Sequence, residues 1–173
     1  MDALKPTIRA YDTACSLPLE RFAPAPYLKL SGIVAILGEV LEADGRPEQA
    51  YEIFVAGLSH LQSHWPELTG KERLRGVALA HKVGEMTETY QLGKDEEEKW
   101  LTWAAQEALR ITKGDSNVKE ENGESVSMML TELDLPKWVN IVDIAAPIEA
   151  LGAFYAKMQN TECVQNLIFR KGY

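Results

Sequence analysis

His60 and His64, four residues apart, could present two imidazoles from one helical face to a metal ion. A zinc site needs further ligands, and only His81 and scattered carboxylates are on offer. The pair is therefore read as solvent-facing or capping histidines beside Trp65, with no metal site. The acidic run from Asp95 to Glu98 suits the positive end of a helix dipole better than a ligand site. Trp100 and Trp103, three residues apart, are expected to pack between helices. Cys15 and Cys163 form no CxxC pair and read as small buried residues. None of the patterns G-x-S-x-G, G-x-G-x-x-G or H-E-x-x-H occurs. Nothing in the residues supports catalysis, so the expectation is a non-enzyme without cofactors.

Whatever these residues do, helices must position them. With 173 residues, 46% of them hydrophobic, the chain is long enough for one domain over residues 1–173 with ample core. A net charge of −8, from 18 Lys and Arg against 26 Asp and Glu, argues against nucleic acid as a partner. No stretch approaches the ~18 apolar residues that a membrane span requires. The N-terminus lacks a secretory layout, so a soluble chain is expected.

Along the chain, Ala3, Thr7, Ala10 and Ala14 share one side of a short opening helix. Ser31 reads as the N-cap of a helix ended by Gly45, and Pro47 as the first turn of the next, which runs to about His64. Thr69 and Glu72 form a T-x-x-E capping box for a helix to about Tyr90. Asp95 starts another, ending near Lys113-Gly114. Residues 113–135 are polar and non-periodic at first, and read as a mobile loop. Periodicity returns near Asp143 with Pro147 early in the helix, and Asn160 or Thr161 caps a last one. "WVNIVDI" is the one β-branched run and has no partner strand. The fold class is all-α.

Three of these helices carry a glycine that costs about 1 kcal/mol relative to alanine. Leu37-Gly38, Val83-Gly84 and Leu151-Gly152 recur mid-helix, each expected to be followed by a turn and a second helix. Gly38, Ala50 and Phe54 stand at the offsets of the tetratricopeptide signature. Leu101 and Ala104 align with Phe54 and Gly57 after a one-residue insertion. Around the third glycine the chain reads Ile148-x2-Leu151-Gly152-x2-Tyr155, with Val164 and Ile168 in its second helix. Gly38, Gly84 and Gly152 are thus expected to be packing residues. The glycines lie 46 and 68 residues apart rather than at the family period of about 34. The opening helix looks like the second half of a unit whose first helix is missing, suggesting a fragment of a longer array.

The chain resembles tetratricopeptide-repeat proteins over about residues 31–64, 75–112 and 143–170. "ERLRGVALAHKVGEMTETY", "EEEKWLTWAAQEAL" and "LPKWVNIVDIAAPIEALGAFYA" are similar to a fungal mitochondrial group that includes adaptors of the inner-membrane i-AAA protease. The resemblance implies a right-handed α-solenoid of about three hairpins plus a leading half unit. It also implies a membrane-anchored parent whose repeats face the intermembrane space and recruit unfolded substrates. The alternative location is the cytoplasm.

Stacked hairpins present their first helices on a concave face. Counting from the glycines, that face should carry Ala35, Glu39 and Glu42; His81, Glu85 and Glu88; and Glu149, Ala153 and Ala156. Related co-chaperones hold a terminal carboxylate with Lys, Asn and Arg there, but acidic positions would repel one. The groove is expected to take basic or amphipathic protein segments, against the plain reading of a solvated helix face. A structural reading stands beside it, in which the chain itself or a second copy fills the groove.

Overall fold

A computed structural model describes residues 4–112 and 135–170, without the side chains of Cys15 and residues 160–170. Both cysteine expectations, Ala3, the second-helix residues Val164 and Ile168 and the expected mobile loop, save Leu135, therefore fall outside the described residues or side chains. Among the described residues the α-helices are α1 (Leu4–Ser16), α2 (Pro26–Ala43), α3 (Pro47–Ser63), α4 (Gly70–Thr89), α5 (Lys94–Thr112) and α6 (Ile141–Arg170). Short 3-10 turns at Leu19–Phe22 and Trp65–Glu67 link α1 to α2 and α3 to α4. Among the described residues there is no strand, so the all-α expectation holds.

Prolines set two helix starts. Pro26 and Pro47 begin α2 and α3, where a missing N–H costs nothing and a fixed φ suits the helix. Pro26 also overturns the expected N-cap at Ser31. That serine lies inside α2, is 3% exposed, and its hydroxyl donates back to the Leu28 carbonyl at 3.1 Å.

What stands in for the missing cap is Glu72, 44 and 45 residues further on. Its Oε2 accepts from the Thr69 N–H (2.9 Å) and hydroxyl (2.8 Å), completing the capping box at the start of α4. Its Oε1 accepts from the N–H groups of Tyr27 (3.0 Å) and Leu28 (3.3 Å), in the first turn of α2. One carboxylate, 2% exposed, thus satisfies four donors and holds two helix starts side by side.

Each helix packs on the next in sequence, and α2, α4 and α6 also touch one another in order. The close approach within the first two hairpins depends on glycine. A Cβ on Gly38 would sit 2.3 Å from Phe54 Cζ of α3, and one on Gly84 would sit 2.5 Å from Leu101 Cδ2 of α5. The partner stands 16 residues after the first glycine and 17 after the second, which is the one-residue turn insertion seen in the sequence. Ala50, Phe54, Leu101 and Ala104 are all buried.

The third unit differs. Helix α6 runs through Asn160 and Thr161 without a break, so the expected last hairpin is one long helix. No glycine or proline lies between Gly152 and Gly172 to stop it. With no returning helix among the described residues, Gly152 is exposed and has open space where a Cβ would stand. Tyr155 is 44% exposed, Leu151 only half-buried, and the buried face of α6 runs through Ile144, Pro147 and Phe154 instead. The packing roles expected of Gly152 and Tyr155 are corrected accordingly.

Two stability predictions follow from this packing. In Gly38→Ala and Gly84→Ala, overpacking of about 1–3 kcal/mol exceeds the gain in helix propensity, and Tm falls. Gly152→Ala meets nothing and keeps the gain of up to about 1 kcal/mol, raising Tm by about 2–4 °C. Calorimetry of the three variants checks the contrast, and a uniform sign would refute it. For the carboxylate, Glu72→Gln leaves N–H groups of one helix start unpaired and costs about 2 kcal/mol. Thr69→Ala, which keeps the link to α2, costs about 1 kcal/mol in the same urea titration.

Candidate functional site

The surface shared by α2, α4 and α6 is where the expected groove residues must be judged. Ala35 is half-buried on α2, and Glu39 is exposed with no partner among the described residues. Glu42 is not free: it accepts from Lys82 Nζ of α4 at 2.8 Å and from the Tyr90 hydroxyl at 3.3 Å. Glu88, at the equivalent position of the next hairpin, accepts from Lys157 Nζ of α6 at 2.8 Å. The hydrogen bond to Glu88 holds the Lys157 ammonium above its ordinary pKa. These carboxylates clip α2 to α4 and α4 to α6. Half-exposed pairs of this kind contribute about 0–1 kcal/mol each.

Glu85 is exposed, with its Oε1 3.9 Å from Nε2 of the half-buried His81. Glu149, Ala153 and Ala156 are exposed on α6. Of the four acidic positions on α2 and α4, then, two are engaged in the scaffold and two face solvent.

A cavity of about 370 Å³ opens between α4 and α6. Its apolar lining comes from Leu74, Val77 and Ala78 of α4 and Ala146 and Pro147 of α6, with Leu28 of α2 contributing as well. Lys71, Arg75 and His81 line the α4 side, and Val142 and Asp143 the α6 side. Sequence reasoning found His81 here and missed the rest. The signal was available: stepping back from His81 by helical turns passes through Ala78, Leu74 and Lys71. Leu28 and Leu74 are also related by the same spacing as Gly38 and Gly84.

A second cavity, about 240 Å³, lies between α1 and the α2–α3 hairpin, lined by Tyr11, Leu17, Ile33, Gly57 and His60 among others. Nearby, His60, His64 and Tyr27 cluster with ring centroids 4.9–5.8 Å apart. His64 Nδ1 lies 3.0 Å from both the His60 carbonyl and the Ser63 hydroxyl, at the end of α3. Burial, then the neighbouring His64, lowers the His60 pKa. The histidines act as aromatic packing and a helix terminus. Among the described residues no group of three or more His, Cys, Asp or Glu could hold a metal ion.

The expected tryptophan packing takes two forms. Trp100 is 6% exposed, while half-buried Trp103 meets Trp65 edge to face at 5.0 Å. In the acidic run, Asp95, Glu96 and Glu97 lie in the first turn of α5. Glu97 is buried against the α4–α6 clip, and its pKa is raised by burial, with Lys157 opposing and Glu88 adding to the shift.

Comparison with known proteins supplies no relative: no family model, no curated protein and no solved structure matches the chain. Among the described residues no helix is long and apolar enough to cross a membrane.

The Glu97 shift has a measurable consequence. The folded carboxyl binds its proton at higher pH than the unfolded one, so the folded state gains stability as pH falls through the raised value toward the ordinary carboxyl range. Glu97→Gln removes the buried charge and should raise Tm at pH 7, with the advantage over the parent shrinking as pH falls toward 4.5. A constant difference, or a lower Tm at pH 7, would show that burial of this charge is not the governing term.

Proposed function

We propose that this chain is a protein–protein interaction module, a right-handed α-solenoid of tetratricopeptide-like hairpins that recruits polypeptides. The observation that carries the reading is the repeated interlock, Gly38 on Phe54 and Gly84 on Leu101, together with inner helices placed in order beside an open groove. A hairpin cannot bury both faces alone, and stacking hairpins leaves a continuous surface suited to extended or helical segments. Resemblance extends the proposal to an adaptor that delivers unfolded polypeptides to an inner-membrane AAA protease, on the intermembrane-space side of mitochondria. That extension rests on the quoted sequence blocks alone.

A structural role is the second reading, favoured by exposed apolar residues at the start of α6. Ile141 and Val142 there are 50% and 61% exposed. In that case the chain is an assembly subunit whose face is covered by a second copy.

Photo-cross-linking separates the two. A photoreactive residue at Ala35 or His81 should form adducts with an added, permanently unfolded polypeptide, while one at the exposed Glu52 of α3 should not. Equal adducts from all three positions, or none, would remove the recruiting role. Light scattering showing a concentration-independent oligomer would favour the assembly subunit instead.

A further inference from the structure

The chain carries eight more acids than bases, yet its α4–α6 groove has two cations on one rim with no partner among the described residues, Lys71 and Arg75. They stand four apart on α4, so their side chains are neighbours, an arrangement that costs a helix stability. Lys71 also lies in the first turn of α4, where the helix dipole disfavours a cation. The acid within one turn of Arg75 is Glu72, and its carboxylate already serves four other donors. Asp143 of α6 lines the same groove and has no ion pair among the described residues, so the groove holds two cations to one anion. Below the cations lies hydrocarbon, and Val142 extends it into solvent at 61% exposure.

Granting the interaction-module reading, we propose that this groove docks an amphipathic segment of a partner protein, with apolar side chains on the Leu74–Pro147 floor and two carboxylates one helical turn apart on Lys71 and Arg75. Arg75 offers a planar fork suited to a carboxylate, and Lys71 a point charge beside it. Carboxylates at i and i+4 on a helix match the spacing of the two cations. The preferred partner is therefore acidic and apolar, the opposite charge to the one that Glu39 and Glu85 suggest.

The test uses the full chain and two fluorescein-labelled, end-capped 15-residue helical peptides. Both carry leucine along one face, flanked by glutamate in one and by lysine in the other. End-capping removes any terminal carboxylate. Fluorescence anisotropy should show the glutamate peptide binding at least tenfold tighter than the lysine peptide, and weakening in 0.5 M salt. Lys71→Glu with Arg75→Glu should abolish that preference, and the milder Lys71→Gln with Arg75→Gln should weaken binding at least fivefold, with thermal melts verifying the fold. Glu39→Lys with Glu85→Lys should leave it unchanged. Tighter binding of the lysine peptide, lost on reversing Glu39 and Glu85, would overturn this assignment while sparing the interaction module. Failure of both peptides and of the unfolded polypeptide would overturn both. Self-association that Val142→Asp disperses, with no peptide bound, would make a second copy the occupant and refute the proposal.

Discussion

The Glu72 carboxylate is the constraint from which the arrangement of α2 and α4 follows. Its Oε2 belongs to the local capping box and its Oε1 to the backbone of α2, so α2 and α4 start at a fixed height relative to each other. That height brings Leu28 of α2 into the lining of the same groove as Leu74 of α4. It also sets Glu42 opposite Lys82 near the other end of the same two helices, at 2.8 Å. A buried carboxylate costs least when its oxygens are fully engaged, and this one has four donors. Hydrophobic burial supplies most of the driving force, but it is non-directional and would not by itself choose the stagger.

Within that frame the glycines decide distance rather than direction. Gly38 and Gly84 let an aromatic ring and a leucine of the following helix rest on bare backbone, so hairpin helices lie closer than side chains would permit. Gly57 repeats the device from the other side, receiving Val34, whose Cγ1 would be 2.5 Å from a Cβ there. In the second hairpin the corresponding positions are Ala80 and Ala104, both without exposure. The large-on-none pairing of one hairpin becomes small-on-small in the next, so spacing is kept while the sequence drifts.

Helix type, the capping box, Pro47 and the Gly38 and Gly84 contacts were legible in the sequence because each depends on residues close together or at a fixed helical offset. The misreadings share the opposite property. Ser31 looked like a cap because Glu72, the residue that serves the start of α2, lies 41 positions away. Glu42 and Glu88 looked like ligand-facing acids because Lys82 and Lys157 come from other helices, at separations that no periodicity encodes. Gly152 looked like its two counterparts because its local context is the same, whereas its role depended on a turn near Asn160, where α6 instead runs on unbroken. The basic rim of the groove was readable, but only by following the His81 face back through two further turns.

Several charges on α2 and α4 run against their helix dipoles, and how each is balanced distinguishes scaffold from site. Helix α4 carries Lys71 beside Glu72 in its first turn and no base in its last, while Glu85 and Glu88 stand near its C-terminal end. Helix α2 likewise places Glu42 in its last turn. An isolated helix would favour the reverse, by about 0.3–1 kcal/mol per charge. At the C-terminal ends the structure supplies compensation, through Lys82 on Glu42 and Lys157 on Glu88. At the N-terminal end of α4 it supplies none for Lys71 and Arg75, although the chain has acids in excess. Charges that oppose their own helix and are balanced nearby are accounted for by assembly of the fold. The pair left unbalanced, above an apolar floor and beside an exposed Val142, has no such account within the described residues, and an anionic partner supplies one.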